Sequence, residues 1–578
     1  MTRVYKILGG PGCGKTTEIL NILGKKFREE KLHTDQVLMI GFAKATVKNL
    51  REKAMDELKF TEEESETIKT IHKYCLDHLI NKNVFTKEFK RDFKNKLKVD
   101  PSNWRFLDGD MSIEEEDCVG WTEIEDKKLG AIFGLIGLAR HNLRLDIDSI
   151  IQFAHDSNDY RFARLKDAEI AWAYESLVNY KKANTLIDFE DMLCNALPNS
   201  IVFQGYDTVM VDEAQDLTGL EWAIIEKIAK KSNNLYLVGD DDQGIYGWKG
   251  SKVSKFQAWP CEKEDVRFLK KSYRLPTNIH HFVTTEILPE IQTRMGNTYE
   301  SSGKGHGSIS MLNHLDKLKG QITQNSSIIF CARTWSNCKP FVEFLMREGI
   351  QWKQKARDTR NAGLETSIGA NDIVTIHNWQ KLRAGEGIRG KDVIQMYARL
   401  IDGLLVEGKK TYLTKKETCP KEFSDKDKKF TYQELKDKYY LLADINKPWH
   451  EVFYFQTTRV KGPNNKGALF DDNDHYNEYV RLCWEKDANL DSNILVSTIH
   501  GVKGMEREVV VVNSDWGAMC YKAFQSGIPE KEDEETRVCY VGTTRAKQKL
   551  IIYTGLVEKG HNIYRLPLLN IERKYEYI

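Results

Sequence analysis

The sequence lacks an excess of either charge, because its 86 lysine and arginine residues almost balance its 85 aspartates and glutamates. A protein that binds nucleic acid over much of its surface is usually basic, with lysine and arginine clustered on one face. The charge balance excludes such a surface, so any nucleic-acid site must be a local groove. It neither supports nor excludes nucleic acid as a ligand.

Closely spaced cysteine pairs are also missing. The 11 cysteines are scattered, none forms a C-x-x-C pair, and the nearest approach is Cys331 with Cys338. Zinc and iron–sulfur sites are commonly built from closely spaced cysteines. We therefore expect no structural metal, and free thiols in a reducing compartment.

Long apolar runs are absent as well, since none reaches the roughly 20 residues that a membrane-spanning helix needs. The first residues, Met1–Leu8, run directly into a predicted strand and lack the pattern of a signal peptide. We expect a soluble, cytoplasmic protein with no membrane partner.

Short apolar runs recur along the 578 residues, a length that is too great for one hydrophobic core. Runs of this kind are typical of strands buried on both faces, as in parallel α/β sheets. Between them lie helical patterns, such as the shared face of Val47, Leu50, Ala54 and Leu58. The runs are Val4–Leu8, Val37–Phe42, Thr208–Val211, Leu235–Val238, Ser327–Ala332, Ile494–Ile499, Val509–Val512 and Leu550–Tyr553.

The predicted strands form two groups, before and after about residue 265, and each group is interrupted. The first interruption has helical segments at Leu129–Leu143 and Asp146–Lys182, and the second is mixed and rich in lysine and tyrosine. We infer two α/β cores with one insertion each. The predicted division is residues 1–80 with 181–265, the insertion 81–180, residues 266–374 with 491–578, and the insertion 375–490.

A phosphate-binding loop is predicted between the first strand and the first helix. Its glycines allow backbone N–H groups to surround phosphates, and the following helix N-terminus favours an anion. We expect Lys15 to reach the β- and γ-phosphates of ATP, and the Thr16 hydroxyl to bind Mg²⁺. A chance glycine turn is the alternative. The loop reads Gly9, Gly10, Pro11, Gly12, Cys13, Gly14, Lys15, Thr16 and Thr17.

Two carboxylates follow the apolar strand Thr208–Val211. Asp212 would complete the Mg²⁺ shell, and Glu213 would orient and deprotonate the attacking water. An aspartate–glutamate pair alone is weak, since acidic turns are common. Together with the phosphate-binding loop it predicts an ATPase.

Several further motifs resemble those of superfamily 1 DNA helicases of the UvrD/Rep/PcrA family, in the same order and with similar spacing. The resemblance covers both cores and is poor in the insertions. The motifs are Asp212–Asp216, Val238–Ser251, Lys271–Arg274, Ser497–Glu506 and Tyr540–Lys547, with weaker matches at Gly41–Ala45, Thr70–His72, Asp188–Asp191 and Ala332–Thr334. It implies two RecA-like P-loop NTPase cores, with parallel sheets flanked by helices, each carrying an inserted subdomain.

These motifs supply further candidates for the ATP site. Gln243 follows a buried strand and is placed to sense the γ-phosphate. Arg274 and Arg545 come from the second half of the chain and would act as arginine fingers, although a lone arginine is more often a surface ion pair. The resemblance implies that Tyr273 stacks on the adenine and that Glu506 contacts the ribose.

Tyr246 and Trp248 lie in a glycine-flanked loop and are candidates for stacking on the bases of a single strand. Tyr246 could instead fill the interface between the cores. The resemblance implies that further residues line the strand, although the phenylalanine could end a buried strand and the histidines could be core residues. These are Phe42, His72, Thr498 and His500.

The sequence departs from the family pattern in several places. Only eight residues precede Gly9 in this sequence, so we expect the usual upstream glutamine motif that reads adenine to be missing from its place. Lys249 stands where the family has arginine. The second insertion is short, and its lysine-rich residues 409–429 contact duplex phosphates or form a solvated face. The compact chain resembles a phage or viral member of the family. We expect Lys503 and Lys547 to be solvated or to contact phosphate.

The sequence thus predicts an ATP- and Mg²⁺-dependent motor on single-stranded DNA, and the family implies 3′→5′ movement. We expect a monomer that binds single-stranded DNA and single/double-strand junctions, with partners from replication or repair. Two alternatives stay open: a translocase that displaces proteins without unwinding, and an ATP-gated nucleic-acid-binding module. RNA is not excluded, because base stacking is indifferent to the sugar.

Overall fold

The computed structural model describes residues 2–79, 83, 127–157, 161–198, 201, 203–323, 325–355, 364–415, 417–457, 470–488 and 490–555. The chain divides into two compact units. Unit 1 comprises Met1–Asn313, Cys331–Asn337 and Thr498–Ile578, and unit 2 comprises His314–Phe330 and Cys338–Ser497. Residues 84–126, which make up much of the predicted first insertion, lie outside the described residues.

Unit 1 contains a six-stranded parallel sheet. Its strands are β1 (Arg3–Gly9), β2 (Val37–Gly41), β3 (Ile68–Thr70), β4 (Thr208–Val211), β5 (Asn234–Gly239) and β6 (Val266–Leu269). They are ordered β3-β2-β4-β5-β1-β6 across the sheet. Consequently β1 and β4, which precede the two predicted halves of the ATPase site, are each hydrogen-bonded to β5.

Both faces of this sheet are buried, as the apolar runs predict. Successive side chains of a strand point to opposite faces. Accordingly Leu38 and Ile40 belong to one hydrophobic cluster, whereas Val37 and Met39 belong to another. Burial on two sides explains why these strands are apolar throughout rather than alternating.

Helices cover the sheet and continue into the first insertion. They are Lys15–Glu29, Lys44–Leu58, Glu62–Ser65, Ile71–Asp77, Lys127–His141, Ile147–Asp156, Asp167–Ala183, Phe189–Cys194, Gly219–Ala229, Val253–Ala258, Thr277–Phe282, Ala518–Phe524 and Pro529–Thr543. The predicted face of Lys44–Leu58 is confirmed, because Leu50 and Ala54 are fully buried. Shorter helical turns occur at Thr34–Gln36, Ala214–Asp216, Asp241–Gln243, Gly247–Lys249, Lys263–Asp265, Val283–Ile287 and Leu288–Glu290.

The first insertion has its own apolar core, formed by residues of three helices. The segment Asp146–Lys182, expected to be helical, consists of two helices, Ile147–Asp156 and Asp167–Ala183. Between them, Phe162 is buried in the core and Leu165 packs against it. These two contacts hold the connection against the helices in a conformation that periodicity alone did not reveal.

Unit 1 also contains a second set of parallel strands, Ser308–Leu312, Arg507–Asn513 and Ala546–Tyr553. Ala546–Tyr553 pairs with both of the others. The glycine-rich residues 303–307 that precede Ser308 form a loop. The edge strands β3 and β6 and the strand Ser308–Leu312 were not among the predicted runs.

Unit 2 has short strands and five helices of its own among its described residues. Lys353–Lys355 pairs antiparallel with Leu364–Thr366 and parallel with Ile494–Thr498, and Ile388–Arg389 pairs antiparallel with Lys429–Phe430. The helices are Ala370–Arg383, Gly390–Ala398, Lys409–Thr414, Tyr432–Lys438 and Asn473–Lys486, with short turns at Leu315–Leu318, Lys421–Ser424 and Trp449–Glu451. Strand Ile328–Ala332 and helix Trp335–Arg347 have residues in both units.

The predicted fold class is confirmed as α/β, with two parallel-sheet cores flanked by helices. This arrangement fits a two-domain RecA-like helicase fold. The predicted domain boundaries stay a prediction. Within the described ranges, no helix combines the length and apolar character needed to cross a bilayer.

Candidate nucleotide and nucleic-acid sites

The predicted phosphate-binding loop connects β1 to the helix Lys15–Glu29. Gly12 and Gly14 have φ of +71° and +80°, in the left-handed region that other residues rarely adopt. The Lys15 ammonium donates to the carbonyl oxygen of Gly9 at 2.9 Å, which folds its side chain back over the loop. Thr16 lies in the first turn of the helix, beside the lysine.

A second segment packs directly on this loop. The backbone N–H of Tyr273 donates to the Gly12 carbonyl at 2.8 Å, and the Ser272 hydroxyl donates to the Pro11 carbonyl at 2.7 Å. The Tyr273 side chain is 63% exposed although it lies beside Gly14. Its ring is therefore accessible for stacking next to the phosphate-binding loop.

Asp212 and Glu213 emerge at the carboxyl end of β4. Burial, together with the neighbouring Glu213 carboxylate, raises the pKa of Asp212 to about 7. Burial also acts on Glu213, but the charges of Lys15 and Lys503 and a hydrogen bond from Gln215 outweigh it and hold the pKa below its usual value. The pKa values of these two adjacent carboxylates are thus shifted in opposite directions.

A continuous series of hydrogen bonds connects Glu213 to Arg545. The Gln215 amide donates to the Glu213 carboxylate, and its oxygen accepts from the Asp240 backbone N–H at 3.0 Å. The Gln243 amide donates to the Asp240 carboxylate at 2.5 Å. The Gln243 oxygen then accepts from the Arg545 guanidinium at 3.0 Å. The structure therefore brings three predicted catalytic side chains into one network.

Arg545 is buried at the end of the helix Pro529–Thr543, which we call the finger helix. Its guanidinium donates to three neutral oxygens, those of Val541, Thr544 and Gln243. Burial, with the nearby positive charge of Arg274, lowers its pKa to about 9. Neutral partners do not balance its charge, so an anion bound beside it would be strongly stabilised.

Arg274 and Glu506, two other predicted ATP-site residues, contact each other. The Arg274 Nε donates to Glu506 Oε2 at 2.5 Å, and Lys547 Nζ lies 3.3 Å from Glu506 Oε1. Although burial acts to raise it, Arg274 and Lys547 keep the pKa of Glu506 below its usual value. Arg274 must exchange this carboxylate for phosphate if it acts as a finger.

The expectation that Lys503 is solvated is wrong in this structure, whereas its contact with phosphate stays a prediction. Its ammonium lies 2.5 Å from an Asp216 carboxylate oxygen and donates to the Gln243 carbonyl at 2.7 Å. Its side chain is only 9% exposed. A buried ammonium requires a carboxylate partner, and Asp216 provides it.

Tyr299 connects the phosphate-binding loop to the finger helix. A Cβ atom at Gly10 would lie 2.4 Å from the Tyr299 ring, so this glycine permits the ring to approach the loop. The Tyr299 hydroxyl lies 2.7 Å from that of Tyr540, on the finger helix. Both tyrosines are buried.

The aromatic loop, defined here as residues 246–250, presents two rings that are neither fully buried nor fully exposed. Tyr246 stacks on Phe42 with centroids 5.5 Å apart and an interplanar angle of 23°. Trp248 meets Tyr246 edge-on at 6.4 Å. The Lys249 ammonium lies 5.6 Å from the Phe42 ring. The structure therefore groups three predicted DNA-binding residues as one aromatic cluster with a cation beside it.

His500 supports this loop from within the protein, and Thr498 is buried nearby in the sequence. His500 is 3% exposed, and its Nε2 lies 3.1 Å from the Ile245 carbonyl oxygen. Its ring centroid is 6.0 Å from Tyr246 and 6.2 Å from Trp248. Thr498 is 1% exposed and accepts a hydrogen bond from the Gly501 N–H.

His72 contacts a different ring, that of Phe189, at a centroid distance of 5.9 Å. Burial lowers the pKa of His72, and the positive charges of Lys249 and Lys44 lower it further, against the opposing effect of Glu221. These effects together favour the neutral form of the ring.

Several contributors to the sites were not predicted individually. Gln215, Asp216 and Asp240 lie inside the recognised motifs, so their positions were available but their partners were not. Tyr299 lies outside every motif, and no local pattern distinguishes it from a core tyrosine. The partners of all four are distant in the chain or depend on the fold.

Two family descriptions match the chain where these sites lie. The UvrD/REP helicase N-terminal domain matches residues 1–262, and the UvrD-like helicase C-terminal domain matches residues 410–555. Together these matches cover more than half of the chain. The chain belongs to the UvrD-like helicase family. The family resemblance inferred from the motifs is therefore confirmed.

Relatives in this family match over almost their whole length. A probable DNA helicase II homolog of Mycoplasma genitalium is 24% identical, with 100% of this chain and 86% of the relative covered. The corresponding protein of Mycoplasma pneumoniae is 22% identical, with 96% and 83% covered. The ATP-dependent DNA helicase PcrA of Staphylococcus aureus is 20% identical, with 94% and 80% covered.

Proposed function

We propose that this UvrD-like family member is an ATP-dependent DNA helicase that moves 3′→5′ along one strand. The observation that carries the proposal is the hydrogen-bond series from Glu213 through Gln215, Asp240 and Gln243 to Arg545. It connects a candidate general base to a candidate arginine finger from the other end of the chain. Such a connection makes hydrolysis depend on how the two core regions meet.

For hydrolysis, we assign Glu213 as the base that orients and deprotonates water, because its lowered pKa keeps it ionised at pH 7. Gln243 senses the γ-phosphate, and Arg545 and Arg274 stabilise negative charge in the transition state. The three hydrogen-bond acceptors of the Arg545 guanidinium are all neutral, which supports its role, because a phosphate would give it a charged hydrogen-bond partner.

For nucleotide binding, the loop from Gly9 to Thr17 surrounds the phosphates, and Lys15 contacts the β- and γ-phosphates. Tyr273 stacks on the adenine, which its exposed ring permits, and Glu506 contacts the ribose. Thr16 and Asp212 would hold Mg²⁺, which neutralises phosphate charge when bound. The metal fits this site, because the Asp212 carboxylate is buried and a cation would offset the cost of its charge.

For the nucleic acid, we assign Phe42, Tyr246 and Trp248 as the stacking face for the bases. We also assign His72, whose ring contacts Phe189, to the strand track. His500 is buried against the loop, so we assign it to the strand track through its ring contacts with Tyr246 and Trp248. Thr498, two residues before it and also buried, is assigned to the track from the family resemblance alone.

The substrates proposed are single-stranded DNA and single/double-strand junctions, bound by a monomer. The lysine-rich segment of unit 2 remains a candidate for duplex phosphates. It includes Lys409, Lys410 and Lys415 among the described residues, whereas Lys416 lies outside them. Replication or repair partners follow from the family and are a prediction.

The test uses duplexes that carry a 3′ or a 5′ single-stranded tail, incubated with ATP and Mg²⁺. We expect strand separation only from the 3′-tailed duplex. Separation from the 5′-tailed duplex alone would reverse the proposed direction. Removal of streptavidin from a biotinylated single strand without any unwinding would instead establish the translocase alternative.

A further inference from the structure

The finger helix contacts the aromatic loop through one carboxylate near its start. The backbone N–H of Trp248 donates to Glu534 Oε1 at 3.1 Å. A Cβ atom at Gly247 would lie 2.4 Å from Glu534 Oε2, so a side chain there would displace the carboxylate. The contact thus requires both an acceptor on the helix and a glycine on the loop.

The opposite end of the same helix leads to the nucleotide site. The finger helix ends at Thr543, and Arg545 folds back to donate to the Val541 carbonyl at 2.8 Å. Glu534 and Thr543, the last residue of the helix, are separated by about 14 Å along the helix axis, from a rise of 1.5 Å per residue. A helix is stiff over this length, so both ends move together.

Glu534 is distinguished from its neighbour by what it faces. Glu535 forms a two-point ion pair with Arg333, at 2.8 and 2.9 Å, and accepts from the Trp516 indole at 2.6 Å. Glu534 faces the loop instead. Glu534 is only half-buried, but desolvation, together with the charge of Glu535, raises its pKa to about 7, so the position is unfavourable for a carboxylate. A positioning role for Glu534 explains why a carboxylate occupies a site where its charge is unfavourable.

We propose that Glu534 is a positioning residue that couples the nucleotide state at Arg545 to the aromatic loop. This inference rests on the proposed function. When Arg545 moves onto the γ-phosphate, the finger helix carries Glu534 with it. The hydrogen bond to the Trp248 backbone then shifts the rings that stack on the bases. Nucleotide binding would thereby change the grip on the strand.

The test compares steady-state ATP hydrolysis with and without a thymidine homopolymer in the full-length protein. The ratio of DNA-stimulated to unstimulated kcat should fall about tenfold or more in Glu534→Ala, since a hydrogen bond to a charged group is lost. Glu534→Gln retains an acceptor oxygen and should restore most of the ratio. Glu530→Ala, an exposed glutamate on the same helix, is the matched control and should keep the wild-type ratio.

Gly247→Ala tests the same contact from the loop side and should lower the ratio as Glu534→Ala does. It also replaces Glu534→Ala if that variant does not fold. A ratio retained within about twofold in both variants would overturn the inference, as would equal losses with and without DNA. If the wild-type protein itself shows no stimulation by DNA, the proposed function fails rather than the role of Glu534.

Discussion

The nucleotide pocket and the aromatic loop are built from opposite kinds of contact. In the pocket, charged and amide side chains are buried and joined by hydrogen bonds, from Glu213 to Arg545. In the loop, partly exposed rings are held mainly by ring contacts, stacked on Phe42 and edge-on against His500. The pocket is therefore fixed in geometry, whereas the loop offers surfaces with little directional preference.

This difference corresponds to the two tasks of a motor. Phosphoryl transfer requires charges at defined positions, because electrostatic stabilisation depends on preorganised groups. Movement along a strand requires contacts that accept any base and can be broken, which ring stacking provides. Substitutions in the two regions should accordingly differ in both size and kind of effect.

Removal of the finger should have the largest effect. We expect Arg545→Ala to lower the kcat for ATP hydrolysis by about 10³-fold or more, since an arginine finger stabilises transition-state charge. Steady-state kinetics with and without single-stranded DNA measure the loss, and thermal melting verifies folding. Arg545→Lys retains the charge without the planar fork and should also be strongly impaired. A kcat within tenfold of wild type would contradict the role of Arg545.

Loss of the general base Glu213, also in the nucleotide pocket, should lower ATP hydrolysis by a similar or slightly smaller factor. We expect Glu213→Gln to lower kcat by about 10²–10⁴-fold, because an amide does not accept the proton of water. Single-stranded DNA should still bind, as measured by fluorescence anisotropy. Glu226→Gln, an exposed position on the helix Gly219–Ala229, is the control and should hydrolyse ATP normally.

For the aromatic loop, we expect substitution to weaken the binding of single-stranded DNA. Trp248→Ala should weaken binding of single-stranded DNA by about 5- to 150-fold, which corresponds to one lost stacking contact. Titration with a labelled oligonucleotide measures the dissociation constant. Trp172→Ala removes a 41% exposed ring from the first insertion and should leave the constant unchanged. Unchanged affinity in Trp248→Ala would show that the aromatic loop is not part of the DNA-binding surface.

The smallest effect tests whether burial raises a carboxyl pKa outside the nucleotide pocket. Burial and the charge of Asp188 raise the pKa of Glu190 to about 7. The folded state therefore favours its protonated form, and this stability is lost as pH rises from about 4.5 through 7. Glu190→Gln, which stays neutral, should stabilise the protein at pH 8 by about 1–3 kcal/mol and give no gain at pH 4.

Thermal melting at both pH values measures that difference. Glu175→Gln, at an exposed position of the helix Asp167–Ala183, is the control and should have no pH-dependent effect. Equal melting temperatures for Glu190→Gln and wild type at pH 8 would show that the local charges, rather than burial, determine the state of Glu190.

The sequence predicted the central strands and the positions of the motifs well, for a physical reason. Strands buried on both faces must be apolar throughout, and phosphate-binding loops need glycine at fixed positions. The short edge strands β3 and β6 were missed because they are less apolar. The ion pair of Lys503 with Asp216 was missed because the two residues are distant in the chain and meet only in the folded protein.

The contact between Glu534 and the aromatic loop illustrates the same limit. Its two sides, Gly247 and Glu534, each look ordinary in the sequence, as a loop glycine and a helical glutamate. Only the 3.1 Å distance between the Trp248 N–H and the carboxylate distinguishes them. Local patterns therefore identified the chemistry of each region but not the connection between them.

The most direct test of the account is the rate of ATP hydrolysis by the wild-type protein with and without single-stranded DNA, in the presence of Mg²⁺. We predict slow turnover alone and strong stimulation by DNA, because a motor links its nucleotide pocket to its track. Slow turnover that is indifferent to DNA, in a protein that still binds the strand, would contradict the account and support the ATP-gated binding module.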